Sequence, residues 1–351
     1  MRPMMIYGID HVAKNWSAVL TKKRLEKLSP DLDMVWHLGD IGYADDAFLH
    51  GVLRFSYEDC YNGFMNWMED LSATIPYMVS VGNHESECHS PDCLLSWRGH
   101  ALRNFTAYNS RWHMPSMESG GALSMWYSWN YGPVHFVSIN TETDFPSADE
   151  RETGDSHIPW LRGGGFAAEG EYLRWLEADL KAAASARAAG HGPRWIVVGG
   201  HRPHGDIKEE HAPLFRKYGV DLYVSGHGHF YTRGAPVDGT TYIMAGGAGC
   251  DEMPSPGTAQ GREDDRDIHI FAQRIAGIAA ASKACEAWGS PLACTPGFSV
   301  PEGSEVFTTR RMSTGVLKAD SKTLRWQLLD SETGEVLDSV TIGATEEPRL
   351  V

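Results

Sequence analysis

Short apolar runs alternate with amphipathic stretches along most of the chain. Four of these runs have the length of buried strands and are each followed directly by glycine: residues 34–38, 77–81, 194–198 and 221–225. Two more runs, at residues 125–131 and 134–140, flank Gly132-Pro133 and predict a β-hairpin. Apolar residues at helical spacing predict two helices, over residues 57–71 and 169–189. This alternation indicates an α/β layered protein, and we expect residues 1–351 to form a single domain.

The pattern changes in the last third of the chain. Residues 251–305 combine proline-rich turns with a run of charges, which predicts a surface insertion. Polar and apolar residues then alternate through residues 318–341, which is the period of a half-buried strand. We therefore expect antiparallel strands to close the domain over residues 306–342, with turns at Gly315 and Gly334.

The overall charge narrows the range of partners. The chain carries 31 Lys and Arg against 46 Asp and Glu, a net charge of −15. A surface this acidic repels polyanions, so we expect no nucleic-acid partner. No apolar stretch reaches the ~18 residues needed to cross a bilayer, so we also expect no membrane span. The composition is rich in one potential metal ligand and proton carrier, because the chain contains 16 His.

The cysteines suggest a compartment without settling it. None of the six Cys forms a CxxC pair, so a zinc knuckle is not expected. Cys88 and Cys93 flank a proline turn, as do Cys285 and Cys294, and each pair could close a short disulfide loop. Disulfides of this kind belong to an oxidising compartment, whereas six reduced thiols remain the alternative.

The beginning of the chain does not resemble a secretory leader. Residues 1–7 resemble the start of a strand, and no basic segment followed by an apolar core precedes them. Glycosylation sequons nevertheless occur at Asn15 and Asn104. We therefore expect a secreted glycoprotein whose sequence is truncated at its N-terminus.

Polar residues follow the predicted strands, where open α/β sheets bind their ligands. They comprise two aspartates, one asparagine and two histidines, at Asp10, Asp40, Asn83, His201 and His227. A further imidazole, His229, follows two residues after the last of these. Oxygen and imidazole ligands without thiolate suit iron, zinc or manganese. A lone Asp or Asn beside glycine is usually a turn residue, but five such strand ends together predict a metal site.

The same residues lie in motifs that resemble those of the calcineurin-like metallophosphoesterases. The motifs are Gly39-Asp40-Ile41-Gly42-Tyr43, Gly82-Asn83-His84-Glu85, Val198-Gly199-Gly200-His201 and Gly226-His227-Gly228-His229. Tyr43, three residues after Asp40, is similar to the tyrosinate ligand of the purple acid phosphatases. Flanking residues resemble the larger plant and fungal type, whose N-terminal fibronectin-like domain has no counterpart in this sequence. The resemblance implies a four-layer α/β/β/α sandwich of two mixed sheets and a secreted or vacuolar/lysosomal location.

The resemblance also implies a dinuclear centre of Fe(III) and a divalent Fe, Zn or Mn. In that arrangement Asp40 bridges the metals. The ferric site is completed by Asp10, Tyr43 and His229, and the divalent site by Asn83, His201 and His227. His84 is the implied phosphate contact and proton donor. The family has a further substrate-side histidine, for which His211 is favoured over His204.

One motif departs from the family pattern. The usual Gly-Asp-x-Gly is replaced by Gly8-Ile9-Asp10-His11-Val12. The sequence leaves open whether Asp10 reaches the metal through a strand bulge, whether His11 replaces it, or whether no residue fills the position. Loss of this ligand would weaken the ferric site.

The function implied by the resemblance is acid phosphatase activity. It consists of phosphomonoester hydrolysis by attack of a metal-bound hydroxide, with an acidic pH optimum. Three alternatives remain: a phosphodiesterase or nucleotidase on the same scaffold, a weakly active metal-binding relative, and an α/β module without a metal. The partners implied are small phosphomonoesters, and a homodimer is left open.

Overall fold

Three sheets, of seven, three and two strands, make up the centre of the described part of the protein. The computed structural model describes residues 18–45, 57–88, 99–151, 163–249 and 299–343. The strands within these residues are β1 (Val35–Leu38), β2 (Tyr77–Ser80), β3 (Tyr127–Tyr131), β4 (Val134–Ser138), β5 (Trp195–Gly199), β6 (Leu222–Ser225), β7 (Tyr231–Gly234), β8 (Thr241–Ala245), β9 (Glu305–Thr309), β10 (Ser313–Ala319), β11 (Thr323–Asp330) and β12 (Val336–Gly343).

Helices precede or follow most of these strands. They are α1 (Ala18–Leu28), α2 (Tyr57–Ser72), α3 (Thr106–Arg111), α4 (Ser116–Ser119), α5 (Glu171–Ala188), α6 (His204–Ile207) and α7 (Ala212–Tyr218). Single turns of 3₁₀ helix occur at Ser29–Asp31, Asn83–Glu85, Gly99–Ala101 and Arg103–Phe105, with a longer one at Pro146–Arg151. The two helices predicted from the sequence correspond to α2 and α5 and are confirmed.

The larger sheet has seven strands in the order β3-β4-β5-β6-β8-β7-β9. Its central strands β4, β5, β6 and β8 run parallel, which places their carboxyl ends at one edge. The predicted hairpin is confirmed, because β3 pairs antiparallel with β4 across the turn at Gly132. The predicted strands at 194–198 and 221–225 are confirmed as β5 and β6, which are buried throughout.

Further strands pack against one face of this sheet. β1 and β2 pair in parallel, and β10, β11 and β12 form an antiparallel sheet. Side chains of both groups share one apolar cluster with the larger sheet, including Trp36 from β1, Trp326 from β11 and Val197 from β5. Packing between β1 and β5 is close, because a Cβ on Gly199 would come within 2.4 Å of the Trp36 ring.

One predicted turn is wrong. Gly315 does not lie in a turn but inside β10, opposite Leu328. A Cβ at this position would lie 2.1 Å from the Trp326 ring, so the indole occupies the space that a side chain would need. The other predicted turn residue, Gly334, does adopt a left-handed conformation between β11 and β12.

The other face of the larger sheet is covered by helices. In α5, the buried residues Tyr172, Leu176, Leu180 and Ala183 recur at helical spacing and pack in one cluster with Val198 of β5. α7 packs beside α5, whereas α1 contacts α2 and β10 on the opposite side of the two sheet layers. The described residues therefore form the predicted α/β/β/α sandwich. None of the described helices is long and apolar enough to cross a membrane.

Several predictions fall on residues that the structure does not describe. They include Asp10, most of the insertion at residues 251–305, and four of the six cysteines. Cys88 is disulfide-bonded, and Cys93, its predicted partner, lies outside the described residues. Cys60 is a buried thiol of α2.

A half-buried histidine in β1, His37, makes folding stability depend on pH. The Nδ1 atom of His37 lies 3.0 Å from the hydroxyl of Tyr77, and burial lowers the pKa of His37 from 6.5 to about 4. The unfolded chain takes up this proton below pH 6.5 whereas the folded chain does not until pH 4, so stability falls as the pH drops through that window.

We expect His37→Gln, which can still accept from Tyr77, to remove part of this pH dependence. Between pH 7.5 and 4.5 the wild type should lose about 2 kcal/mol more unfolding free energy than the variant. Urea titrations at both pH values measure the difference, with the exposed His191→Gln as the control. Equal losses in wild type and His37→Gln would contradict the assignment.

Candidate metal centre

Four strand ends bring polar side chains to one place in the fold. Asp40 follows β1, Asn83 follows β2, His201 follows β5 and His227 follows β6. The first two strands belong to the smaller parallel pair and the other two to the larger sheet. The site therefore lies at the seam between the two sheet layers, as ligands in α/β folds lie beyond the carboxyl ends of strands.

Polar atoms of four side chains meet closely at this seam. The Nδ1–H of His201 donates to the carbonyl oxygen of Leu38 at 2.7 Å, which leaves a lone pair on Nε2 of the neutral ring. That Nε2 lies 2.9 Å from Oδ1 of Asn83 and 3.2 Å from Nδ1 of His227. It also lies 3.0 Å from Oδ2 of Asp40. When His227 carries its proton on Nε2, four acceptor atoms meet here, and they are stable together only with a cation or a further proton among them.

The carboxylate of Asp40 also contacts a second group of side chains. The hydroxyl of Tyr43 donates to Oδ2 of Asp40 at 3.0 Å. The same phenol oxygen lies 2.7 Å from Nε2 of His229. Asp40 thus stands between Tyr43 and His229 on one side and Asn83, His201 and His227 on the other.

Electrostatics favour an anionic carboxylate at Asp40 and a neutral imidazole at His227. Burial alone would raise the pKa of Asp40, but His201, His84 and His227 hold it well below its usual range. Burial, together with Arg202 and His201, lowers the pKa of His227 well below 6.5. For His201, burial opposes the charge, but the Asp40 carboxylate outweighs it and raises the pKa. A proton on His201 therefore competes with a metal ion for this site.

A second buried carboxylate braces the backbone beneath Asp40. Glu85 accepts from the backbone N–H groups of Gly82, Asp40 and Ile41, at 2.8, 2.9 and 2.6 Å. Burial and the charge of Asp40 raise the pKa of Glu85 to about 8. A cation bound to Asp40 would offset that repulsion and favour the ionised form of Glu85.

The backbone of the site is strained at its ligand-type residues. Asp40, Tyr43 and His227 have φ values of 55°, 44° and 65°, in the left-handed region that side chains disfavour. The backbone at His227 is therefore not extended. Position 82 requires glycine, since a Cβ there would lie 2.4 Å from Oδ1 of Asp40.

His84 lies at the more open side of the cluster. Its Nδ1 lies 2.8 Å from Oδ2 of Asp45, a carboxylate with no exposed surface. Its ring packs 4.3 Å from that of Tyr43, and its backbone N–H donates to Asp40 at 3.2 Å. The buried floor of the site is formed by Asp40, Asn83 and His201, whereas His84 is half-buried.

The structure does not bring the other two candidate histidines into this cluster. His211 is fully buried, with Nε2 3.0 Å from the Tyr172 hydroxyl and its ring 4.8 Å from Phe145. His211 therefore lies in a buried aromatic pocket, and its role beside the substrate stays a prediction. His204 packs its ring 4.8 Å from Tyr242, and burial lowers its pKa to about 4.

Two carboxylates of the site are not predicted from the sequence as site residues. Asp45 holds His84, and Glu85 braces the turn after β2. Glu85 ends a motif quoted for the resemblance, directly after His84, and Asp45 follows another such motif two residues after Tyr43. Their proximity to candidate ligands is the signal from which they could have been found.

Comparison with known proteins identifies the class. The profile of the calcineurin-like phosphoesterases matches residues 11–231, which include six of the seven predicted metal ligands. This chain belongs to the calcineurin-like phosphoesterase family. Within that family its relatives are acid phosphatases, several of them named purple acid phosphatases.

Two curated relatives and one solved structure illustrate the similarity. Acid phosphatase A of Cryphonectria parasitica is 34% identical over 275 residues, or 64% of this chain and 53% of that protein. Human acid phosphatase type 7 is 30% identical over 262 residues, or 64% and 50%. This chain thus spans about half the length of these relatives. A purple acid phosphatase from yellow lupin seeds shares the fold, with a TM-score of 0.59 at 19% identity over 94% of this chain and 49% of that one.

If the converging acceptors form a cation site, removing its central charge should abolish tight metal binding. We expect Asp40→Asn to weaken Zn²⁺ binding to metal-stripped protein by more than about 100-fold, because outer-shell partners alone cost 10–100-fold. Calorimetric titration with Zn²⁺ measures the affinity. The matched control is Asp179→Asn, a carboxylate whose described partners are Ser128 and His135. Unchanged affinity in Asp40→Asn would count against the site.

Proposed function

We propose that this chain is the catalytic domain of an acid phosphatase that hydrolyses phosphomonoesters at a dinuclear Fe(III)–M(II) centre. The observation that carries the proposal is the position of Asp40. Its Oδ2 atom lies 3.0 Å from both the Tyr43 hydroxyl and His201 Nε2, between the two groups of ligand-type side chains. A carboxylate placed between two such groups suits a bridging ligand.

The two groups differ in chemistry, and we assign a metal to each. Tyr43 and His229 would hold the ferric ion with Asp40, because a phenolate is a hard anionic ligand. Asn83, His201 and His227 would hold divalent Fe, Zn or Mn. We assign Asp10 to the ferric side from its sequence position, since it lies outside the described residues.

Charge balance favours phosphate binding despite the acidic composition. A trivalent and a divalent ion bring five positive charges, and Asp10, Asp40 and Tyr43 supply three negative ones. The remaining charge attracts a phosphate dianion. When bound, the metal pair would activate a water nucleophile and stabilise the charge that develops on phosphorus.

His84 is the residue that we propose to contact the phosphate and protonate the leaving group. It is half-buried beside the cluster, and the buried Asp45 carboxylate fixes its Nδ1 at 2.8 Å. Because that contact occupies Nδ1, proton donation to the leaving group would go through Nε2. A charged imidazole is required for proton donation, which favours catalysis at acidic pH.

Activity assays separate this proposal from its alternatives. We expect faster hydrolysis of p-nitrophenyl phosphate than of its bis ester, with an optimum below pH 7. Preferred cleavage of the bis ester would indicate the phosphodiesterase alternative. An optimum above pH 8 would argue against the ferric assignment, and two bound metals without turnover would identify a binding relative.

A visible spectrum tests the assignment of Tyr43 independently of turnover. Iron-loaded protein should be purple because a phenolate bound to Fe(III) gives a charge-transfer band. We expect Tyr43→Phe to lose this band, while Tyr77→Phe, a tyrosine hydrogen-bonded to His37, retains it. A colourless but active wild type with two metals bound would instead indicate a dizinc or dimanganese centre.

We also propose that the full-length protein enters an oxidising compartment and is secreted or delivered to the vacuole or lysosome. The disulfide at Cys88 supports this, and we assign Cys93 as its partner from the spacing. The sequon residue Asn104 is exposed, so it is accessible to glycosylation.

A further inference from the structure

A closed ring of hydrogen bonds lies directly behind the ligand-type residue His201. The backbone N–H of Arg202 donates to Oγ1 of Thr141 at 3.1 Å, and that hydroxyl donates to Oε1 of Glu142 at 3.0 Å. The other carboxylate oxygen of Glu142 accepts from Nε of Arg202 at 2.9 Å. Thr141 and Glu142 have no exposed surface, and Arg202 is 7% exposed, so water contributes little to the ring.

Contacts from the opposite side complete the restraint on this turn. The ring ties residue 202 to the loop after β4, whereas the Tyr223 hydroxyl of β6 donates to the carbonyl oxygen of Arg202 at 2.6 Å. The backbone N–H of Gly226 donates to the carbonyl oxygen of His201 at 2.9 Å. The backbone around His201 is therefore held from both strands that flank β5.

The position of this backbone determines where the imidazole of His201 lies. The imidazole of His201 is oriented by its hydrogen bond to the carbonyl oxygen of Leu38, which belongs to the other sheet layer. A Cβ on Gly39 would lie 2.6 Å from its Nδ1, so the imidazole has little room to compensate for a backbone shift. Ligand atoms must be held within about 0.5 Å of the required geometry to bind a metal tightly.

Stability alone does not account for a buried ion pair here. Removing a carboxylate and a guanidinium from water costs more than their attraction reliably returns, so such pairs are weak evidence for a stabilising role. A comparable pair links α5 to the larger sheet, where Arg187 donates to Asp221 at 2.8 Å just before the amino end of β6. It lies at the end of the strand opposite to the one that leads to His227.

We propose that Arg202, through its ring with Thr141 and Glu142, is a positioning residue that holds His201 for metal binding. This inference rests on the proposed metal centre. This hydrogen-bonded ring supplies no metal ligand. It holds the backbone next to His201 and thereby affects the affinity of the protein for the divalent ion.

Zn²⁺ affinity of metal-stripped variants tests the inference, with circular dichroism melting to monitor the fold. Arg202→Lys keeps the charge but removes the Nε donor, and we expect it to raise the Zn²⁺ dissociation constant by about 10–100-fold. Thr141→Val keeps both charges and removes only the hydroxyl, and we expect an increase of about tenfold. The control Arg187→Lys should lower the melting temperature but change the dissociation constant by less than about twofold.

The outcomes are distinguishable. Failure of the wild type to bind Zn²⁺ would overturn the metal centre and with it this inference. A wild type that binds, beside folded Arg202→Lys and Thr141→Val that bind equally well, would overturn the inference alone. An equal loss of Zn²⁺ affinity in Arg187→Lys would also overturn the inference, because the loss would then be explained by lower stability of the fold. If Arg202→Lys does not fold, Thr141→Val decides.

Discussion

The carboxylate of Asp40 is buried between two sheet layers, and a buried anion is stable only when donors or cations surround it. Those partners come from both layers, with Tyr43 from the loop after β1 and His201 from the turn after β5. The packing of the two layers against each other at this point therefore depends on one charged group, the Asp40 carboxylate. Glu85 lies behind it and converts three backbone N–H groups into a rigid support.

The site is held in a conformation that its own residues disfavour. Left-handed backbone at Asp40, Tyr43 and His227 costs of order 1–3 kcal/mol at each residue, and the surrounding structure must supply the difference. Two apolar clusters do so, one centred on α2 and α5 and the other between the sheets. His227 follows β6, which is buried throughout, whereas Asp40 and Tyr43 follow the half-buried strand β1.

Local pattern was enough to predict the strands and helices that carry the site, because their periodicity and flanking glycines are encoded in short segments. The convergence of Asp40, Asn83, His201 and His227 also followed from a rule about strand ends. The roles of Asp45 and of the hydrogen-bonded ring around Arg202 could not be predicted in this way, since they depend on contacts between distant segments. Gly315 shows the same limit, because its requirement for glycine comes from Trp326 on the next strand and not from a turn.

The close contact between Trp36 and Gly199 has a consequence for how such a sequence can diverge. The two residues lie on different layers and are encoded far apart, yet the Trp36 ring leaves no room for a side chain at position 199. The ligand-type residues are divided between the same two layers. Recombination that exchanged one layer between homologues would separate the two groups of ligand-type residues. It would also separate Trp36 from the glycine against which it packs. We therefore expect the two layers to be inherited as a unit, because this preserves both the metal site and the contact between the layers.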